Sequence, residues 1–330
     1  MKIIIFSEGV EHTRFLLPII NKLLEFNNFQ IDYFSLDKNE ESKISKKINF
    51  HFIEKKRLLK VLRSITADYF FTTTPGIGSF YFPKSEKVDK YVYTFHSLLS
   101  PNEIYIKNSF SNFDIIMAPN YLIASQLVPI VTQKTKIITT GYPLFASWKN
   151  DTVKQKTALI APSWGKNNIF AHKNFENLLR ELAFKGYSIT IRPHPMQYEL
   201  FDTDTIQRYK DNKIIFDFDK DLINLGKYSI LITDWSGIAL EYYKLNHKKI
   251  IFTDTPKKIR RKRTNKEKGF ELIEDLIRDK IGVVYKLGEK IDSVLEIIDN
   301  PNQDIDMKFL ESIYKPSFYD FRINEIFEIN

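Results

Sequence analysis

The stretch Leu231-Ile232-Thr233-Asp234-Trp235-Ser236-Gly237-Ile238-Ala239-Leu240-Glu241-Tyr242 decides the fold. An apolar β-type run breaks into small and polar residues and passes straight into a helical pattern. Forty positions earlier, Ile191-Arg192-Pro193-His194-Pro195 ends a second β-branched run, Ser188-Ile189-Thr190-Ile191, in a histidine held between two prolines. Such strand-to-helix turns are where α/β proteins receive phosphates, because helix N-terminal N–H groups and the helix dipole attract anions. A strand ending at Thr233 places Asp234 and Ser236 at the helix N-cap, and Gly237 permits close approach of a phosphate. His194 is expected at a strand's carboxyl end, with a backbone stiffened by proline, and Arg192 beside it reads either as a donor contact or as a surface ion pair.

Outward from that turn the same alternation recurs. Strands are expected at Lys2 to Phe6, Gln30 to Ser35, Asp68 to Thr73, Tyr91 to Phe95, Asp114 to Ala118 and Lys136 to Thr139. Helices are expected at His12 to Phe26, Lys56 to Arg63 and Tyr121 to Ile130. The pattern breaks at Gly141-Tyr142-Pro143 and Trp148-Lys149-Asn150-Asp151, then restarts with strands from Thr157, Tyr187, Lys213, Ser229, Lys249 and near Val283. Helices are interleaved at Asn174 to Phe184, Lys220 to Leu225, Ile238 to Leu245, near Glu267 to Ile277 and near Ile291 to Ile298. Strands alternating with helices predict parallel sheets covered on both faces, so the fold class is α/β with two Rossmann-like doubly wound domains facing a cleft. The expected division is 1–145, 146–305 and a C-terminal helical segment 306–330 crossing back to the first domain.

Composition bounds the function. A chain of 330 residues, 43% hydrophobic and 14% aromatic, can bury a large core and normally forms two domains. Cysteine is absent, which removes disulfides, thiolate metal sites and a cysteine nucleophile and fits a reducing compartment. The apolar start, Met1 to Phe6, is too short for a secretory h-region, and no run reaches the length of a membrane span, so a cytoplasmic protein, soluble or peripheral at the inner face of the membrane, is expected. The formal net charge of +8 points to anionic partners. Basic residues crowd Lys257 to Lys268, which reads either as a solvated loop or as a contact for the anionic lipid of the inner leaflet or a polyanionic acceptor. Nucleic acid is not expected, because that run lacks interleaved aromatics and no nucleic-acid module surrounds it.

The N-terminal half carries a second candidate site. Tyr93-Thr94-Phe95-His96-Ser97 ends a strand in a histidine placed to act as general base on an acceptor hydroxyl. Glu8, Gly9 and His12 follow the first strand, with Glu8 as a further candidate base, and Pro75-Gly76-Ile77-Gly78-Ser79 lines an expected acceptor path beside Ser97. No cluster of acidic residues with metal-ligand spacing is visible, so neither a metal nor a tightly bound cofactor is expected.

In these motifs the chain resembles the CDP-glycerol:glycerophosphate glycerophosphotransferases, the teichoic acid primases and polymerases and related capsule-polymer enzymes. The resemblance runs in order over roughly residues 90 to 255: His96-Ser97, Thr140-Gly141-Tyr142-Pro143, Ala161-Pro162-Ser163-Trp164, His194-Pro195, Thr233-Asp234-Trp235-Ser236-Gly237 and Asn246 to Phe252. It departs where Ser97 stands for the family's glycine and Gly237 for its second serine. The resemblance implies a glycosyltransferase-B architecture, with a CDP-linked donor on the C-terminal domain and a glycan or lipid-linked phosphate acceptor on the N-terminal domain. It implies that the family's two transfer histidines fall on His96 and His194, with Ser163, Arg192, Thr233, Asp234, Ser236 and Gly237 around the donor. The rival readings are a sugar transferase using CMP- or UDP-linked donors on the same scaffold and a non-catalytic polyanion-binding scaffold.

Overall fold

The computed structural model describes residues 1–26, 28–106, 108–148, 156–212, 214–219, 223–257, 269–299 and 306–327. The chain divides into two compact units. The first comprises the described residues of Met1–Trp148 and Leu310–Asn330 with Gly269 and Phe270, and the second those of Lys149–Lys262 and Glu271–Phe309.

The first unit is built on strands β1 (Lys2–Ser7), β2 (Gln30–Ser35), β3 (Asn49–Phe52), β4 (Ala67–Thr72), β5 (Val88–Thr94), β6 (Ile115–Ala118) and β7 (Lys136–Thr139). They form one sheet in the order β3-β2-β1-β4-β5-β6-β7, with every pairing parallel. A parallel sheet is covered on both faces, which is why β1 reads Ile3-Ile4-Ile5-Phe6 without alternation and all four side chains are buried. The helix Val10–Leu24 turns Leu16, Ile19, Ile20 and Leu23 into the same core as Ile3 and Ile5, at the spacing a single helical face requires. Residues of the C-terminal segment complete that core: Phe318, Phe321, Ile323, Ile326 and Phe327 are buried in it. Their backbone is tied down by Asn120 Nδ2 donating to the Ile313 carbonyl (3.0 Å) and Lys136 Nζ donating to that of Glu325 (3.0 Å).

The second unit repeats the scheme with β8 (Thr157–Ile160), β9 (Ser188–Ile191), β10 (Ile214–Phe216), β11 (Ile230–Thr233), β12 (Ile250–Thr253) and β13 (Gly282–Tyr285), in the order β10-β9-β8-β11-β12-β13 and parallel throughout. In both sheets the chain winds outward one way from its first strand and then the other. The reversal points, β1 beside β4 and β8 beside β11, open crevices at the carboxyl ends of the strands where α/β proteins bind ligands.

The structure corrects several expectations. Asn49–Phe52 is an edge strand and Thr203–Asp211 a helix, neither of which the apolar pattern announces. The helix expected from Lys220 is absent among the described residues, where Leu225–Lys227 makes a single 3-10 turn; residues 220–222 lie outside the description. The helix expected near Glu267 runs instead over Ile273–Lys280. Most of the basic stretch, 258–268, lies outside the described residues, as does the break at 149–155.

Candidate active site

In the second unit, β8 lies between β9 and β11, so the segments after all three strands emerge together at one end of the sheet. Ser163 follows β8, Arg192 and His194 follow β9, and Asp234 to Gly237 follow β11. Asp234 is buried and organises this end. Its carboxylate accepts from the Ser163 N–H (2.7 Å), the Ser163 hydroxyl (3.0 Å) and the Trp235 N–H (2.6 Å). Desolvation raises its pKa above the ordinary carboxylate range, against the pull of those three donors. Thr233 is also structural, its hydroxyl donating to the Ala161 carbonyl across the switch point (2.7 Å).

The expected capping arrangement does not form. The helix Ile238–Asn246 is N-capped by Gly237, and no side chain caps it. Asp234 cannot serve as cap because its oxygens are committed to Ser163 and Trp235. Three backbone donors therefore converge without partners: among the described residues, the N–H groups of Ser236, Gly237 and Ile238 receive no hydrogen bond acceptor, and neither does the half-buried Ser236 hydroxyl a donor or acceptor. Helix N-terminal amides left in this way form an anion site.

His194 caps the 3-10 turn Pro195–Leu200, its Nδ1 accepting from the Met196 N–H (3.2 Å). In the neutral ring that bond assigns the proton to Nε2, so His194 presents an N–H donor. The ring lies 6.2 Å from that of Trp164, which joins the β8 and β9 loops. The guanidinium of Arg192 donates to the Asp217 carboxylate (2.6 Å) and the Asp219 carbonyl (2.7 Å), an ion pair with the β10 loop.

In the first unit, the residues after β1, β4 and β5 meet in the same way. Gly9 precedes the helix Val10–Leu24, so His12 sits in its first turn, two residues deeper than expected. His12 Nδ1 bonds the hydroxyl of buried Thr73, at the end of β4 (2.8 Å), and its ring packs edge-on against His96 at 5.4 Å. Burial lowers the His12 pKa, outweighing the attraction of the Glu11 charge. Phe15 and Tyr105 flank the His96 ring at 6.0 and 6.4 Å, and the Tyr93 hydroxyl lies 3.5 Å from His96 Nδ1.

Glu8 is exposed as a residue, with protein crowding its carboxyl group enough to desolvate it in part. That desolvation raises its pKa, eased by the Thr74 hydroxyl and reinforced by the Glu11 charge. The Ser97 hydroxyl is turned back to its own loop, accepting from the Leu99 N–H (3.2 Å). Gly76 adopts φ +79°, a left-handed conformation that favours glycine, and its N–H donates to the Ser109 carbonyl (2.8 Å). With Asn112 Nδ2 donating to the Ile77 carbonyl (2.8 Å), the 75–79 loop is tied to the loop before β6.

Three residues receive no role in the sequence reading. Glu40 is fully buried behind Gly9, its Oε1 accepting from the hydroxyls of Ser7 (2.8 Å) and Thr13 (2.5 Å). Trp235 donates Nε1–H to the Thr255 carbonyl (2.8 Å), and Arg278 stacks on its ring at 4.1 Å. Glu40 and Arg278 stand in segments whose acidic and basic neighbours look solvated, and no local motif separates them from those neighbours. Among the described residues no group of three or more His, Asp or Glu is placed to hold a metal ion.

Two doubly wound α/β units of like strand order, each with a histidine at its switch-point end, define a glycosyltransferase-B-type fold. Solved structures agree at the level of fold. A variant of the wall teichoic acid polymerase TagF soaked with CDPG aligns with TM-score 0.53 and 16% identity, covering 76% of this chain and 69% of that one. The UDP-GlcNAc 2-epimerase of Methanocaldococcus jannaschii aligns with TM-score 0.60 and 14% identity over 99% of each chain. S. aureus MnaA with UDP aligns with TM-score 0.55 and 13% identity, covering 91% of this chain and 88% of that one. No curated protein matches the chain by sequence. The model of the CDP-glycerol:poly(glycerophosphate) glycerophosphotransferase family matches residues 33–271, and the chain belongs to that family.

Proposed function

We propose that this protein transfers glycerol phosphate, or a closely related polyol phosphate, from a CDP-linked donor to a hydroxyl of a cell-surface glycan or lipid-linked acceptor. The observation that carries the reading is the convergence of the unpartnered Ser236, Gly237 and Ile238 amides at the N-terminus of a nine-residue helix. A nucleoside diphosphate carries the negative charge that such free helix N-terminal amides attract.

The donor's diphosphate lies on those amides and the Ser236 hydroxyl. Asp234 holds the turn and Ser163 from behind. The acceptor hydroxyl attacks the phosphorus nearer the polyol, a new phosphodiester bond forms, and the bond to the bridging oxygen breaks, releasing CMP. His194 Nε2–H stabilises the charge that collects on the leaving phosphate. His96 takes the acceptor proton, with Glu8, whose carboxyl pKa is raised by desolvation, as the further candidate base. Gly9, His12, Gly76 and Ser97 form the acceptor side. No protein-bound metal enters this scheme.

Replacing His96 with alanine tests the division of labour. Turnover of CDP-glycerol is expected to fall by about 100-fold or more, the range of a lost general base, with CDP affinity nearly unchanged. A His96→Ala enzyme with full activity would end the proposal.

A further inference from the structure

Arg278 is an unusual residue to find behind the donor turn. It stands on the helix Ile273–Lys280, is only 8% exposed, and lies 4.1 Å over the Trp235 ring and 5.2 Å over that of Phe252. Its guanidinium donates to two backbone carbonyls, Asp234 (3.2 Å) and Thr253 (2.8 Å), at the ends of neighbouring strands β11 and β12. Among the described residues no carboxylate reaches it within ion-pair distance. Withdrawing a guanidinium from water with only carbonyls as partners is expensive, and an aliphatic side chain would fill the same space at lower cost. Desolvation accordingly lowers its pKa, against the more distant charges of Asp234, Asp275, Asp279 and Asp254.

Two opposed bonds show what the cation holds. The peptide between Asp234 and Trp235 is fixed at its oxygen by Arg278 and at its N–H by the Asp234 carboxylate. The side chain of Trp235 is fixed in turn by the bond from Nε1 to Thr255, by Arg278, and by Lys257, whose Nζ lies 5.3 Å from the ring and pairs with Asp275. Residue 235 is thus held through its peptide, its indole N–H and its ring, and the next three residues carry the amides that find no acceptor among the described residues.

We infer that Arg278 is the positioning residue of the donor turn: through the Asp234 carbonyl and the face of Trp235 it fixes the Ser236, Gly237 and Ile238 amides in the geometry a nucleoside diphosphate requires. The inference rests on the donor reading proposed above. Preorganised amides bind an anion without an ordering cost at the moment of binding. Lysine cannot replace the arginine, since a point charge neither stacks flat on indole nor serves two carbonyls in one plane.

The test compares cytidine with CDP, whose difference isolates the diphosphate. Both are titrated calorimetrically into the wild-type protein, Arg278→Lys, Arg278→Met and Trp235→Leu. Both Arg278 variants are expected to lose about tenfold of the CDP-over-cytidine preference, the scale of a charge-assisted hydrogen bond, while cytidine affinity stays within about twofold. Trp235→Leu, which keeps the carbonyl bonds, is expected to lose less. A preference unchanged in the folded variants, or cytidine and CDP weakened equally, overturns the inference alone. So does failure of both Arg278 variants to fold while Trp235→Leu folds and keeps the preference. A wild-type protein that binds neither ligand overturns the donor reading itself.

Discussion

At the scale of single residues, the environment of each titratable group sets its behaviour with pH. His12 is held in a desolvated crevice that depresses its pKa below the ordinary value of about 6.5. A depressed histidine contributes stability above its unfolded pKa and loses it as pH falls through the folded value. The unfolding midpoint is therefore expected to decline as pH drops below about 6.5, and His12→Asn, which can keep the Thr73 bond but cannot ionise, should flatten that slope. Equal slopes for the two proteins would place the dependence elsewhere. Glu8 and Asp234, with raised values, work in the opposite sense: their contribution is full below the ordinary carboxylate range and is lost as pH rises through their folded values. Arg192 makes a structural prediction. Arg192→Met strands Asp217, and chemical denaturation should show a loss of about 1–3 kcal/mol, intermediate between surface and buried pairs, with CDP affinity within about twofold of wild type. A large loss of CDP affinity without loss of stability would return Arg192 to the donor site.

At the scale of elements, backbone geometry discriminates between two glycines that look alike in sequence. Gly141 and Gly76 both have φ near +79°, but a Cβ on Gly141 would lie 2.3 Å from the Phe318 nitrogen of the C-terminal segment, whereas one on Gly76 meets open space. Gly76→Ala should cost about 1–2 kcal/mol, the left-handed penalty alone, and Gly141→Ala clearly more, because rigid backbone must also move. Denaturant midpoints read the difference, and similar costs at both sites would contradict the packing of Phe318 described here. The same contrast explains what was legible beforehand. Strands buried on both faces, such as β1 and β11, declare themselves as unbroken apolar runs. The edge strand Asn49–Phe52 has three exposed residues out of four, and Thr203–Asp211 buries only Tyr209, so neither carries a periodic apolar signal. The N-cap departs from the sequence expectation for a related reason: Asp234 has the right residue type for a cap, and only the β8 loop folded beside it shows that Ser163 claims its carboxylate.

At the scale of the whole molecule, a short set of ordered motifs sufficed to place the chain in the glycerophosphotransferase family; five of the six fall at a strand's carboxyl end, where topology brings them to a ligand, and the sixth, Asn246 to Phe252, leads into β12. Positions such as Glu40 and Arg278 were illegible because their roles are created by burial between segments distant in sequence. The central claim is that the switch point of β8 and β11 is a CDP site. Calorimetric titration of the wild-type protein and of Ser236→Ala and His194→Ala with CDP-glycerol, CDP-ribitol, CMP, CDP and UDP-sugars tests it most directly. The account predicts selective binding of the cytidine diphosphates, weakened by both substitutions. A preference for UDP-sugars or CMP, or no binding of any nucleotide, would contradict it.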